Sequence, residues 1–166
     1  MLKETKKSIK DLIEVYSNHG RKLFALITKT YELLDKSRID RDRIRDNLRQ
    51  RLSKEASLRV ADFDRMINEI ISQQILLENR IKENINQFWI TQENYTEKLK
   101  QAWQQDENLQ IFNDLKGQIE QEIMIIIQLI IVFHEKHILQ MRQMGNLMNG
   151  KLPLTVARFK EVIKTI

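Results

Sequence analysis

His134 and His137 stand three residues apart in the run His134-Glu135-Lys136-His137, a spacing that places two imidazoles on one side of a helix. With a carboxylate they would ligate zinc or iron. The run is one residue short of His-Glu-x-x-His, and nothing in the chain reproduces the paired Glu-x-x-His of di-iron bundles. Both are therefore weak metal candidates, and no metal or other cofactor is expected. His19 falls on an apolar helical seam and is read as packed and inert.

The second concentration of chemistry is RIDRDRIRDNLRQR, Arg38 to Arg51. Such a run resembles the basic stripe of a nucleic-acid binder. Against this, Asp40, Asp42 and Asp46 interleave and offer helical partners, such as Asp42 with Arg45 and Asp46 with Arg49. No aromatic lies in the run to stack on a base. A solvated, salt-bridged face is expected. Phosphate-backbone binding through Arg43, Arg49 and Arg51 is the alternative function.

Little else suits catalysis. The chain has no Cys, which excludes disulfides, thiolate zinc sites and Cys nucleophiles. Gly20, Gly117, Gly145 and Gly150 are too scattered to form a phosphate loop. Nothing singles out an acid–base pair among the many carboxylates, so no enzyme is expected.

What must position these residues is helix. Apolar residues recur at intervals of three and four almost throughout the 166 residues, and only four Gly and one Pro interrupt them. The pattern predicts an all-α protein, an elongated antiparallel helical bundle or coiled coil with three long helices and a short C-terminal helix, in one domain. α1 is expected over about residues 3–53, with Leu23, Ile27 and Leu34 on its seam, and α2 over about 58–104, capped by Ser57. The break at residues 104–108 has no Gly or Pro, so a continuous helix competes with two separate ones there. α3 is expected over about 108–149 and ends at Asn149-Gly150 before Pro153. α4 follows over about 155–166.

The chain repeats itself. SLRVADFDRMINEI at Ser57–Ile70 and PLTVARFKEVIKTI at Pro153–Ile166 share Leu58/Leu154, Val60/Val156, Ala61/Ala157, Phe63/Phe159, Ile67/Ile163 and Ile70/Ile166. Carried upstream, the same offset pairs Tyr16 with Phe112, Leu23 with Ile119 and Leu48 with Met144. The order helix, turn, helix is therefore expected twice, over 16–70 and 112–166, the second time with a shortened return arm.

Folding the helices back on one another brings a polar layer together. Continuing the α1 seam past Leu34 puts Arg38 and Arg41 where Leu or Ile is due, level with Gln74 of α2 and with His134 and His137 of α3, and with Glu78 and Glu135 nearby. Such a layer sets register. Its sharper alternative is an anion or metal site.

Two further features concern partners. Net charge is +5, and residues 1–60 hold 16 Lys/Arg against 9 Asp/Glu. The Ile-rich run Ile123–Phe133 reaches roughly 16 Å, too short for a ~30 Å hydrocarbon core, so no transmembrane segment is expected. A helix apolar on every face needs neighbours all round. The chain is thus expected to be a non-enzymatic structural or adaptor protein, a homo-oligomer or bound to a helical protein, through Ile123, Ile126, Ile127, Ile130, Ile131 and Phe133 of α3 and Phe159 and Ile163 of α4. The basic N-terminus MLKETKKSIKDL lacks the apolar stretch of a secretory signal, which makes the cytoplasm the expected location.

Overall fold

A computed structural model of the chain describes residues 2–54, 59–104, 109–149 and 155–164. It is an all-α helical bundle of three long helices and one short one: α1 (Leu2–Lys54), α2 (Val60–Gln104), α3 (Leu109–Asn149) and α4 (Val156–Lys164). Among the described residues no helix is long and apolar enough to cross a membrane. The expected cap and turn residues Ser57, Gly150 and Pro153, and the side chains of Tyr16 and His19, lie outside what is described.

The long helices form because their seams are nearly unbroken. On α1 the buried positions from Leu23 to Leu48 are Leu23, Ile27, Thr30, Leu34, Ser37, Arg41, Ile44 and Leu48, alternating steps of four and three. On α3 from Ile123 to Leu147 they are Ile123, Ile126, Ile130, Phe133, His137, Gln140, Met144 and Leu147, with the same alternation. That period is the signature of helices packed side by side. Each α1 residue from Ile27 to Leu48 lies 96 positions before a buried α3 residue, so the burial pattern itself recurs at the offset seen in the sequence.

Contacts divide the chain into two compact units. Unit 1 comprises Met1–Lys29 with Ile81–Ile131, and unit 2 comprises Thr30–Arg80 with Val132–Ile166. In unit 1 the core is built from Leu23 and Ile27 of α1, Ile81, Ile85 and Phe88 of α2, and Phe112, Leu115, Ile119, Ile123, Ile126 and Ile130 of α3. Lys116 lies 3.7 Å from Asp11, which ties α3 to α1. Between α2 and α3 runs an open groove of about 150 Å³, walled by Asn84, Gln87 and Thr91 on one side and Glu122, Ile125 and Leu129 on the other.

In unit 2 the contacts fix the helix directions. Ser37 meets Glu78 and Arg49 meets Asp64, so numbers rise along α1 as they fall along α2. Thr30 meets His134, Ser37 meets His137 and Arg51 meets Leu147, so α1 and α3 run the same way. The core joins all four helices: Ile44, Leu48 and Leu52, then Phe63, Met66, Ile67 and Ile70, then Met144 and Leu147, then Phe159 and Val162. At its centre Phe63 and Phe159, which are 96 residues apart, meet edge to face with ring centroids 5.9 Å apart. Thr155 directly precedes α4, and its hydroxyl accepts the Arg158 N–H at 3.4 Å and so caps the first turn.

Candidate functional site

The polar layer lies in unit 2 and is held by one residue from each of the long helices plus a hydroxyl. Arg41 of α1 and Glu78 of α2 form a buried ion pair. Ser37, one turn before Arg41, donates its hydroxyl to Glu78 Oε1 at 2.8 Å and accepts from Arg41 Nη1 at 2.9 Å. His137 Nε2 of α3 is 3.1 Å from the same oxygen. A serine hydroxyl has one proton and two lone pairs. Its proton is given to Glu78 and one lone pair is taken by Arg41, so His137 must be the donor. The neutral ring therefore carries its proton on Nε2 and a lone pair on Nδ1.

Next along the helices, Thr30 Oγ1 is 2.9 Å from His134 Nε2, and Phe133 packs at 6.0 Å against both imidazoles. The two histidines thus engage two different hydroxyls rather than one ion. Among the described residues no group of three or more His, Asp and Glu is placed to hold a metal. Ser37 is itself almost wholly buried, with Arg41, Glu78 and His137 around its hydroxyl.

The layer differs from the expected one in a way the seam explains. Beyond Leu34 the next step is three, then four, which brings Ser37, Arg41 and Ile44 inward. Arg38 is one residue off that path and exposed, so it is not a member; Glu135 is likewise exposed. Gln74 is buried as expected, yet its Oε1 has no hydrogen-bond partner among the described residues. Ser37 and Thr30 join the layer with neither an apolar nor a charged side chain to mark them. Their signal is their place on the seam, where a small hydroxyl leaves room for a histidine from α3.

Burial pushes the pKa of His137 below its ordinary value; Glu78 and Asp40 pull it up, and Arg41 and His134 push it down. A depressed folded-state pKa means that the unfolded chain takes up a proton first as pH falls below about 6.5. The His137 contribution to stability is therefore present at neutral pH and lost on acidification through the folded-state pKa. Urea midpoints at pH 7.5 and 5.5 are expected to differ more in the wild type than in His137→Gln. Equal differences would remove His137 as the cause.

The arginine run is engaged with the chain itself. Arg43 pairs with Asp40 at 3.4 Å, and Arg45 with Asp42 at 3.3 Å and Asp46 at 3.6 Å. Arg49 reaches across to Asp64 of α2 at 2.6 Å. Arg51 is half-buried and donates to the Leu147 carbonyl at 2.7 Å, near the C-terminal end of α3, where a cation is favoured. All three residues of the nucleic-acid alternative, Arg43, Arg49 and Arg51, thus hold partners within the chain.

The Ile-rich face also needs correction. Ile123, Ile126, Ile130, Phe133 and Phe159 are core residues, because they occupy the seams of α3 and α4, and Ile127 and Ile163 are half-buried. Only Ile131 of the expected set stands in solvent. The exposed apolar residues of α3 are instead Ile111, Met124, Ile125, Leu129, Ile131, Val132, Ile138 and Leu139. Six of them form three adjacent pairs at intervals of seven, 124/125, 131/132 and 138/139, each directly following a seam residue (Ile123, Ile130, His137), and so these six face away from the seam on this one helix. Gly117 and Gly145 hold the equivalent places one heptad beyond each end.

Geometry thus defines a class: an all-α helical bundle with one buried polar layer and an apolar outer row on α3. No known protein-family model matches the chain, and no curated protein or solved structure is similar to it.

Proposed function

We propose that the chain is a non-enzymatic structural or adaptor protein that works by helix–helix association, through the outer face of α3. One observation carries this. The 96-residue offset that superposes the buried seam of α1 on that of α3 also pairs their outer faces. Opposite Met124, Ile125, Ile131, Val132, Ile138 and Leu139, α1 has Thr28, Lys29, Asp35, Lys36, Asp42 and Arg43. All twelve are exposed. At these six places α1 serves as an internal comparison: a helix with the same seam, in the same chain, is polar there, while its exposed apolar residues Phe24, Tyr31 and Ile39 lie at other positions. The apolar row on α3 is not required by the seam, and rows of this kind on a protein surface mark association sites.

The alternative of phosphate binding through Arg43, Arg49 and Arg51 would have to compete with Asp40, Asp64 and the Leu147 carbonyl, and gains no support from their geometry. The buried layer supports a part in helix register, not in catalysis.

Placing the α1 residues on α3 tests the proposal: Met124→Thr, Ile125→Lys, Ile131→Asp, Val132→Lys, Ile138→Asp and Leu139→Arg in one variant. Exposed positions tolerate such changes with small effects on stability, so the chain is expected to stay helical and to lose association with its own copies and with foreign helical partners alike. A variant that associates as the wild type does would overturn the proposal.

A further inference from the structure

We infer that the occupant of the α3 outer face is a second copy of this chain, its α3 lying antiparallel to the first about a two-fold axis between Ile131 and Val132. This rests on the association role proposed above and adds the partner and its direction. The starting point is the order of residues along the face. Inverting α3 about the midpoint of Ile131 and Val132 exchanges Met124 with Leu139 and Ile125 with Ile138, so every apolar pair meets an apolar pair. A self-complementary face of this kind is what an isologous dimer requires.

Charge selects the direction. Between the two apolar columns runs the outermost line of the helix, Gln121, Gln128, Glu135 and Arg142. In an antiparallel pair Gln128 faces Glu135 of the second copy and can donate to its carboxylate, and Gln121 faces Arg142. In a parallel pair Glu135 would face Glu135 and Arg142 would face Arg142, each a like-charge contact within the interface. Area is consistent with a dimer. The six residues are 36–60% exposed and offer roughly 500–600 Å² of apolar surface per copy. With the polar line between them a pair would bury about 1,200 Å², the lower edge of stable, specific interfaces.

The absence of Cys makes the geometry directly testable in the full chain. Two helices about 10 Å apart bring facing Cα atoms to within about 5.5 Å, inside disulfide reach. Residues seven apart on one helix are separated by about 10.5 Å along its axis, which is outside it. Single variants Gln128→Cys and Glu135→Cys would be purified reduced, then oxidised separately and as a mixture, alongside light scattering of the wild type at up to about 100 µM. The expected result is a wild type of about twice 19.9 kDa and a covalent dimer from the mixture only. A covalent dimer from either variant alone would overturn the antiparallel pairing. A monomeric wild type would overturn the second copy as occupant. In that case the association role still stands if the six-residue exchange removes binding of a foreign helical protein, and falls with it if the exchange changes nothing.

Discussion

Glu78→Ala is expected to cost about 3–5 kcal/mol of unfolding free energy, because it leaves the Arg41 guanidinium buried without its counter-charge. The same change takes the acceptor from the Ser37 hydroxyl, so two buried donors lose their partner at once. The magnitude reflects the difference between breaking a buried pair and never having one. Replacing both partners with apolar residues of similar volume, Arg41→Met with Glu78→Leu, is expected to recover most of the loss or to exceed wild-type stability by about 1–4 kcal/mol. Urea denaturation followed by far-ultraviolet circular dichroism measures both. A Glu78→Ala variant within about 1 kcal/mol of the wild type would mean that Arg41 finds another acceptor or reaches water.

Phe159→Ala is expected to cost about 3–5 kcal/mol, the range for emptying a buried aromatic site. Two effects add here. The ring is fully buried against Phe63, and the edge-to-face pair contributes about 0.5–1.5 kcal/mol beyond its area. α4 is only nine residues long, well short of what holds a helix together in isolation, so it depends on docking through Phe159 and Val162. The variant is expected to expose α4 to trypsin at Lys160 and Lys164, ahead of the long helices. Phe159→Ala with wild-type proteolysis and an unchanged urea midpoint would show that α4 is held by something other than this pair.

Much of this fold was legible in the sequence because its spacing is so regular. Apolar residues at alternating steps of three and four, broken near residues 55, 105 and 150, yield the four helices within a residue or two of their ends. The polar layer was legible only in part. After Leu34 a step of three reaches Ser37 and a step of four reaches Arg38, and both are polar, so hydrophobicity cannot choose between them. The choice is made further on, where Ile44 and Leu48 fix the frame and draw Arg41 inward but leave Arg38 outside.

The Ile-rich stretch hid its outer face for the opposite reason. From Ile123 to Phe133 nearly every position is apolar, so periodicity within the run cannot separate core from surface. The frame comes from its continuation through His137, Gln140, Met144 and Leu147, which assigns Ile123, Ile126, Ile130 and Phe133 to the core. The seven-residue recurrence of the pairs at 124, 131 and 138 was present in the sequence throughout. It acquires meaning only once the seam shows that these pairs lie away from the core, and once α1 shows the same places filled by Thr, Lys, Asp and Arg.

Whether the α3 outer face is an association surface is tested most directly by measuring mass and thermal unfolding on the same samples of the wild type and the six-residue exchange variant. The wild type is expected to weigh about twice the 19.9 kDa chain and the variant once, with both unfolding cooperatively at closely similar temperatures when compared as monomers in dilute solution. A variant as heavy as a dimeric wild type, or a variant that has lost its cooperative transition, would contradict the account; a wild type of single-chain mass would remove the second copy and leave the association role to the foreign-partner assay.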